Sequence, residues 1–235
     1  MQGIESNPSK LGFLPELASN VMASFLYDKA VKPIVEPTDV ASAAPQDVSS
    51  TVIRSEQLKH MVFTSLGLTG DWKQMLGDVA KPFAMMVYGL AGGGKSTFNL
   101  IFAKYLAETL NKRVLYVSGE EGLTATMKEK FERLRAYHSN IFISAGQPTS
   151  YNGYDVVFVD SVNYLHLSEE DLKVLLETNM PKGISFVLVF HSTKEGNYRG
   201  VATFEHLVDI SMKVEAGVTS IGKNRFGEHG SMRVY

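Results

Sequence analysis

Short apolar runs alternate with amphipathic segments from about residue 80 to residue 190. The apolar runs have no regularly spaced polar positions, which predicts strands buried on both faces of a sheet. They cover residues 82–88, 113–118, 141–144, 156–159 and 184–190. Residues 97–110, 124–137 and 168–179 have helical spacing, and Ser168 is placed to cap the last of these helices. The alternation predicts an α/β fold: a mainly parallel, twisted sheet with helices on both faces.

The pattern changes at both ends of this region. After Glu205, three short apolar segments separated by glycine-containing turns (210–215, 219–223 and 231–234) predict antiparallel strands at the sheet edge. Residues 11–31 fit an amphipathic helix, 38–50 form a linker rich in Pro, Ser and Ala, and 55–66 fit a short helix capped by Ser55. We therefore expect a helical arm and linker over 1–70 and a core over 71–235. The arm either connects domains or docks on a neighbouring subunit.

Composition narrows the setting. The chain is 44% hydrophobic and 20% charged, as in soluble globular proteins, and no apolar run reaches the length of a membrane span. It has no cysteine, which excludes disulfides and a cysteine-ligated structural zinc. With no secretory signal visible, we expect a cytoplasmic protein. The formal charge of −2 gives no global attraction to nucleic acid, so any such binding needs a local basic patch or a ring of subunits.

The segment from Gly89 to Ser96 matches the phosphate-loop pattern G-x-x-x-x-G-K-[ST], between a predicted strand and a predicted helix. Glycines let backbone N–H groups approach phosphates, and the helix N-terminus adds a positive end. Lys95 supplies a cation for the outer phosphates, and the Ser96 hydroxyl suits Mg²⁺. The sequence thus predicts a nucleoside triphosphate site, with ATP or ADP and Mg²⁺ as ligands. The predicted binding residues are Gly89, Ala91, Gly92, Gly93, Gly94, Lys95, Ser96 and Thr97.

Polar residues follow several predicted strands, where ligand chemistry collects in parallel sheets. Asp160 either holds Mg²⁺ opposite Ser96 or caps a loop. Glu120 and Glu121 either activate the attacking water or are solvated acids. His191 can sense the γ-phosphate, and the basic loop 193–200 behind it is either a nucleic-acid contact or plain surface.

Two cations lie near the C-terminal end. Lys223 and Arg225, in the segment Lys-Asn-Arg-Phe-Gly, either are surface charge or reach the phosphates of a neighbouring subunit. A cation supplied from a neighbour can speed phosphoryl transfer by about 10³–10⁵.

Five segments in order resemble the bacterial RadA (Sms) family of RecA-like ATPases: YVSGEE at 116–121, VDS at 159–161, HSTKEG at 191–196, EHLVD at 205–209 and KNRFG at 223–227. The resemblance covers about residues 71–235. It implies a RecA-like P-loop NTPase that forms a ring or filament on single-stranded DNA, in recombination, repair or replication. It also implies Glu120 as catalytic base, His191 as nucleotide sensor, Ser96 and Asp160 as Mg²⁺ residues, and Lys223 and Arg225 as interface cations.

The chain departs from this family at both ends. It has neither the family's four-cysteine zinc module nor its Lon-protease-like domain, which suggests a RadA-like core of bacterial or phage origin. Two readings of its function follow: a DNA-dependent ATPase, or a nucleotide-gated assembly module without motor activity. A small-molecule phosphotransferase ranks last, because we find no arginine-rich lid segment.

Overall fold

The computed structural model describes residues 53–192, 204–227 and 229–234, which belong to two compact units, Met1–Met61 and Val62–Tyr235. Within the described part of the first unit there is one short helix, α1 (Ser55–Leu58). Arg54 N donates to Gln57 Oε1 at 2.8 Å, so Ser55 is the first helical residue and not the cap. The predicted arm helix at 11–31 and linker at 38–50 lie outside the described residues.

The helix predicted over 55–66 is wrong beyond Leu58. In the second unit, β1 (Thr64–Ser65) pairs antiparallel with β2 (Ala80–Lys81), and Leu66 N donates to Val79 O at 2.7 Å. The backbone of this segment is therefore committed to a distant strand, which local spacing does not reveal.

Eight strands form one sheet. They are β3 (Ala84–Gly89), β4 (Val114–Ser118), β5 (Ile141–Ser144), β6 (Val156–Asp160), β7 (Ser185–His191), β8 (Ile210–Glu215), β9 (Val218–Asn224) and β10 (Ser231–Arg233). Their order is β10-β9-β8-β3-β7-β6-β4-β5. The strands from β8 to β5 run parallel, whereas β9 and β10 are antiparallel and form one edge. The predicted fold class is confirmed.

Helices cover both faces of this sheet. On one face lie α2 (Gly70–Leu76), α3 (Lys95–Glu108) and α4 (Ala125–Leu134), packed against alternate strand residues such as Met85 and Val87. On the other lies α5 (Glu169–Asn179), followed by the 3₁₀ turn Met180–Lys182 and packed near Ala84 and Met86. The predicted cap of α5 is confirmed, since Asp171 N donates to Ser168 Oγ at 3.2 Å. The short helix α2 was not predicted.

The parallel register brings four strand ends to one edge of the sheet. Gly89 is paired with His191, and Ser118 with Asp160. A Cβ on Gly89 would lie 2.1 Å from Val214 O, so only glycine allows β8 this close to the end of β3. This edge therefore carries the residues that follow β3, β4, β6 and β7.

Candidate nucleotide site

The phosphate loop joins β3 to α3. Gly92 and Gly94 have φ of 73° and 101°, left-handed values that favour glycine, and Lys95 begins the helix. The Lys95 ammonium folds back and donates to Gly89 O at 3.0 Å and to Leu90 O at 2.9 Å. Burial lowers the pKa of Lys95, while the charges of Asp160 and Glu120 oppose that shift. The loop thus holds a partly desolvated cation beside the N-terminus of a helix, an arrangement suited to phosphate.

A hydroxyl and a carboxylate meet behind the loop. Ser96 Oγ donates to Asp160 Oδ2 at 3.0 Å, and Asp160 is only 7% exposed. Hydroxyl and carboxylate oxygens are the hard ligands that Mg²⁺ takes, so these two residues fit that ion. The two residues predicted to hold Mg²⁺ are therefore brought together, Ser96 from α3 and Asp160 from the end of β6.

Tyr116, a residue for which the sequence predicts no role, also binds this carboxylate. Its hydroxyl donates to Asp160 Oδ2 at 2.5 Å from a fully buried position on β4. Burial, and then the Asp160 charge, raise the pKa of Tyr116 well above its usual value. The phenol thus stays protonated and remains a donor. The one signal in the sequence is that Tyr116 lies two residues before Ser118, and Ser118 ends the strand that pairs with the strand ending at Asp160.

Glu120 and His191 face each other across the site. The Nε2–H of His191 donates to Glu120 Oε2 at 2.9 Å, because an ionised carboxylate can only accept. The His191 backbone N–H donates to Asn163 Oδ1 at 2.8 Å. Gly119 N donates to Asp160 O at 2.7 Å, which ties the loop carrying Glu120 to the end of β6. The two residues predicted as base and sensor are thus in direct contact.

A cleft of about 450 Å³ contains these groups. Its lining includes the predicted residues Ala91, Gly92, Gly94, Lys95, Ser96, Thr97, Glu120 and His191, together with Glu121. Two further cations, Lys130 and Arg133, line it from α4 and were not predicted. Their i, i+3 spacing on the helix after Glu121 was a usable signal, since such residues share one helix face.

Lys223 and Arg225 lie away from this cleft. Ser211 is paired with Met86 on one side and with Lys223 on the other, and Met86 precedes Gly89 by three residues. At about 3.3 Å per residue, Lys223 is roughly 10 Å below the loop along the strand direction. Lys223 Nζ donates to Glu205 O and Val208 O, both at 2.7 Å, while Arg225 Nη1 pairs with Asp209 Oδ1 at 3.0 Å. Neither cation reaches the phosphate loop of its own chain.

Two further predictions concern the nucleic-acid loop and the absence of a membrane span. The loop 193–200, expected to contact nucleic acid, lies outside the described residues. No helix within residues 53–192, 204–227 and 229–234 combines the length and the apolar character needed to cross a membrane.

Comparison with known proteins adds sequence relatives. A family model described as an AAA domain matches residues 81–167. The DNA repair protein RadA of Campylobacter jejuni is 29% identical over 84% of this chain, and that of Listeria monocytogenes is 30% identical over 70%. These matches cover 49% and 41% of the two relatives, so the chain spans about half of their length or less.

Solved structures show the same fold at lower identity. A KaiC-like protein of Pyrococcus horikoshii superposes with a TM-score of 0.54 at 18% identity, covering 69% of this chain and 89% of that one. The flagellar accessory protein FlaH of Methanocaldococcus jannaschii gives 0.57 at 14% identity, covering 74% and 96%. At these identities the likeness concerns the fold alone.

Proposed function

The chain carries a RadA-like core of RecA fold, and from that premise we propose that it hydrolyses ATP in a Mg²⁺-dependent reaction, as an oligomer that acts on DNA. The observation that carries the proposal is that Lys95, Ser96, Glu120 and His191 line one cleft, with Asp160 bonded to Ser96 beside it. These residues come from four strand ends and meet at the carboxyl edge of the sheet.

In this proposal, the loop binds the phosphates of ATP. Lys95 exchanges its bonds to Gly89 O and Leu90 O for phosphate oxygens, which is feasible because its three N–H donors rotate freely about the stem. Ser96 and Asp160 would hold Mg²⁺, which offsets charge on the outer phosphates when it is bound. Tyr116 keeps the Asp160 carboxylate oriented toward Ser96.

Glu120 acts as the general base for the attacking water. It is half-exposed at the cleft, and its carboxylate is oriented by His191 at 2.9 Å. A γ-phosphate would compete with Glu120 for the His191 N–H. His191 would thereby transmit the nucleotide state to the chain that follows it, where loop 193–200 would contact single-stranded DNA.

Lys223 and Arg225 would act on a neighbouring subunit. They lie far from their own phosphate loop, so only another copy of the chain can bring them to a nucleotide. Arg225 is the more available of the two, because its side chain is 55% exposed. This part of the proposal requires a ring or filament.

The Glu120→Gln variant tests the catalytic part. We expect ATP binding to persist and turnover to fall by about 10²–10⁴, the contribution of a positioned general base. Glu132→Gln is the matched control, since Glu132 is a similarly exposed acid on α4 outside the cleft lining. Unchanged turnover in Glu120→Gln, measured by phosphate release, would assign the base elsewhere.

The DNA part needs a separate measurement. We expect single-stranded DNA to raise the ATPase rate, and nucleotide to change the mass of the particle in solution. Equal rates with and without DNA, together with nucleotide-dependent assembly, would favour the alternative: a module in which ATP binding orders a partner surface and hydrolysis resets it.

A further inference from the structure

The wall of the cleft formed by α4 carries an ion pair that the proposed mechanism does not use. Lys130 Nζ contacts Glu121 Oε1, and each side chain is 27% exposed. The other carboxylate oxygen, Glu121 Oε2, is buried and has no hydrogen-bond partner among the described residues. A buried carboxylate oxygen without a donor is costly, so this corner of the cleft is incomplete as it stands.

A second cation lies one turn along the same helix. Arg133 lines the cleft, and within the described part of the chain no hydrogen bond or ion pair engages its guanidinium. Lys130 uses one of its three ammonium donors on Glu121, which leaves two. Positions i and i+3 share a helix face, so both cations present donors to the same space.

The location of the pair indicates which part of a nucleotide it would meet. Glu121 follows Glu120 directly, and its charge acts on Tyr116, the residue that holds Asp160. Lys130 is therefore anchored at the end of the cleft where the base and the Mg²⁺ residues lie. In a bound nucleoside triphosphate, the γ-phosphate belongs at that end.

We propose that Lys130 and Arg133 bind the γ-phosphate from the subunit's own α4, with Glu121 as the positioning residue that orients Lys130. This inference rests on the proposed function, since it takes ATP as the ligand. It adds a means of telling ATP from ADP that requires no neighbouring subunit. Phosphate oxygens would accept hydrogen bonds from the two remaining Lys130 donors.

The test compares Lys130→Met with Lys128→Met on the same helix. Residues two apart point about 200° apart, and Lys128 is a 71% exposed lysine outside the cleft lining. Titration calorimetry with a non-hydrolysable ATP analogue and with ADP gives the comparison. We expect Lys130→Met to lose about tenfold to a hundredfold in affinity for the ATP analogue, the range for one charge-assisted hydrogen bond. Its affinity for ADP, and both affinities of Lys128→Met, should change by less than about threefold.

Further variants separate the roles. Arg133→Met should show the same selective loss, Lys130→Arg should recover part of it, and Glu121→Gln should give a smaller loss than Lys130→Met. Retained ADP binding also reports that each variant is folded. Unchanged affinity of Lys130→Met for the ATP analogue, or an equal loss for ATP analogue and ADP, would overturn the inference. A wild-type chain that binds neither nucleotide would instead overturn the proposed function itself.

Discussion

Two lysines at opposite ends of the sheet make the same kind of contact. Lys95, at the carboxyl ends of the parallel strands, donates to Gly89 O and Leu90 O. Lys223, at their amino ends, donates to Glu205 O and Val208 O. Burial lowers the pKa of both side chains. Neither the residue type nor the number of hydrogen bonds distinguishes them.

The surroundings do distinguish them. Lys95 lines an open cleft with Ser96, Glu120 and His191, so a phosphate can replace its carbonyl partners. Lys223, on β9, connects that strand to the segment before β8 by its hydrogen bonds to Glu205 O and Val208 O. Its acceptor residue Val208 is fully buried. Other polar groups at the amino end are also bound within the fold: Asp209 accepts from Ala84 N at 2.9 Å and pairs with Arg225. Polar residues at the carboxyl end line an open cleft, whereas those at the amino end are bonded to other groups within the fold.

The largest expected effect is that replacing Lys95 weakens ATP binding, whereas replacing Lys223 lowers stability. Lys95→Met should weaken ATP binding by at least about a hundredfold, because the charge that meets the outer phosphates is lost. Its unfolding free energy should fall by less than that of Lys223→Met, since the Leu90 residue is exposed and water can reach its freed carbonyl. Lys223→Met should instead lose about 2–3 kcal/mol of unfolding free energy, because two carbonyls lose a charged donor. Urea unfolding and nucleotide titration measure the two quantities.

Binding of nucleotide to the Lys223→Met monomer should match the wild type, which serves as the control for its fold. If Lys223→Met lost turnover but kept the unfolding free energy of the wild type, Lys223 would not be the structural lysine of the pair. That result would mean that the neighbour-directed role of Lys223 outweighs its role within the chain.

The next effect concerns Tyr116 at the carboxyl end. Tyr116→Phe should lower turnover or Mg²⁺ affinity by about tenfold to a hundredfold, the usual cost of removing a group that orients a metal ligand. ATPase rates over a Mg²⁺ titration measure both. Tyr151→Phe is the matched control, because the Tyr151 hydroxyl is buried without a partner in the described structure and packs on the opposite face. Equal effects of the two variants would remove Tyr116 from the site.

Contacts set by local patterns or by the ends of parallel strands could be predicted from the sequence, whereas other contacts between distant residues could not. The ends of β3, β4, β6 and β7 could be predicted because the first apolar run stops at the phosphate loop and the other three stop at polar residues, and parallel strands bring those ends together. Tyr116 could not be assigned, because its partner is 44 residues away and its strand looks uniformly apolar. The segment 64–65 was misassigned as helix because β2 pairs with it from outside the window that spacing samples.

The two cation pairs illustrate the same limit. The sequence places Lys130 and Arg133 on one helix face. Predicting that this face borders the cleft would also have required the rotation of α4 about its axis, which depends on how Met127 and Phe131 pack into the core. Predicting where Lys223 and Arg225 lie would have required the direction of β9. An antiparallel edge strand carries its last residues to the amino end of its parallel neighbours, away from the phosphate loop.

The smallest expected effect is a pH dependence at the amino end. Asp155 accepts from Lys81 Nζ at 3.1 Å and from Arg113 N at 2.9 Å. Burial disfavours the charged form of Asp155, but these two donors outweigh it and hold its pKa below its usual value of 3.8. A depressed folded-state pKa contributes stability above the unfolded pKa, and that contribution disappears as pH falls through the folded pKa.

We therefore expect wild type to exceed Asp155→Asn in unfolding free energy by about 1 kcal/mol at pH 7, since solvent screens a carboxylate whose side chain is 32% exposed. The gap should close as pH falls below about 4. It should also shrink in a Lys81→Met background, because the ammonium that favours the carboxylate is gone. Urea unfolding at several pH values measures it, and nucleotide affinity should stay unchanged throughout. A pH-dependent change in nucleotide binding by Asp155→Asn would show that the amino end of the sheet is coupled to the cleft, and the division between a ligand edge and a structural edge would fail.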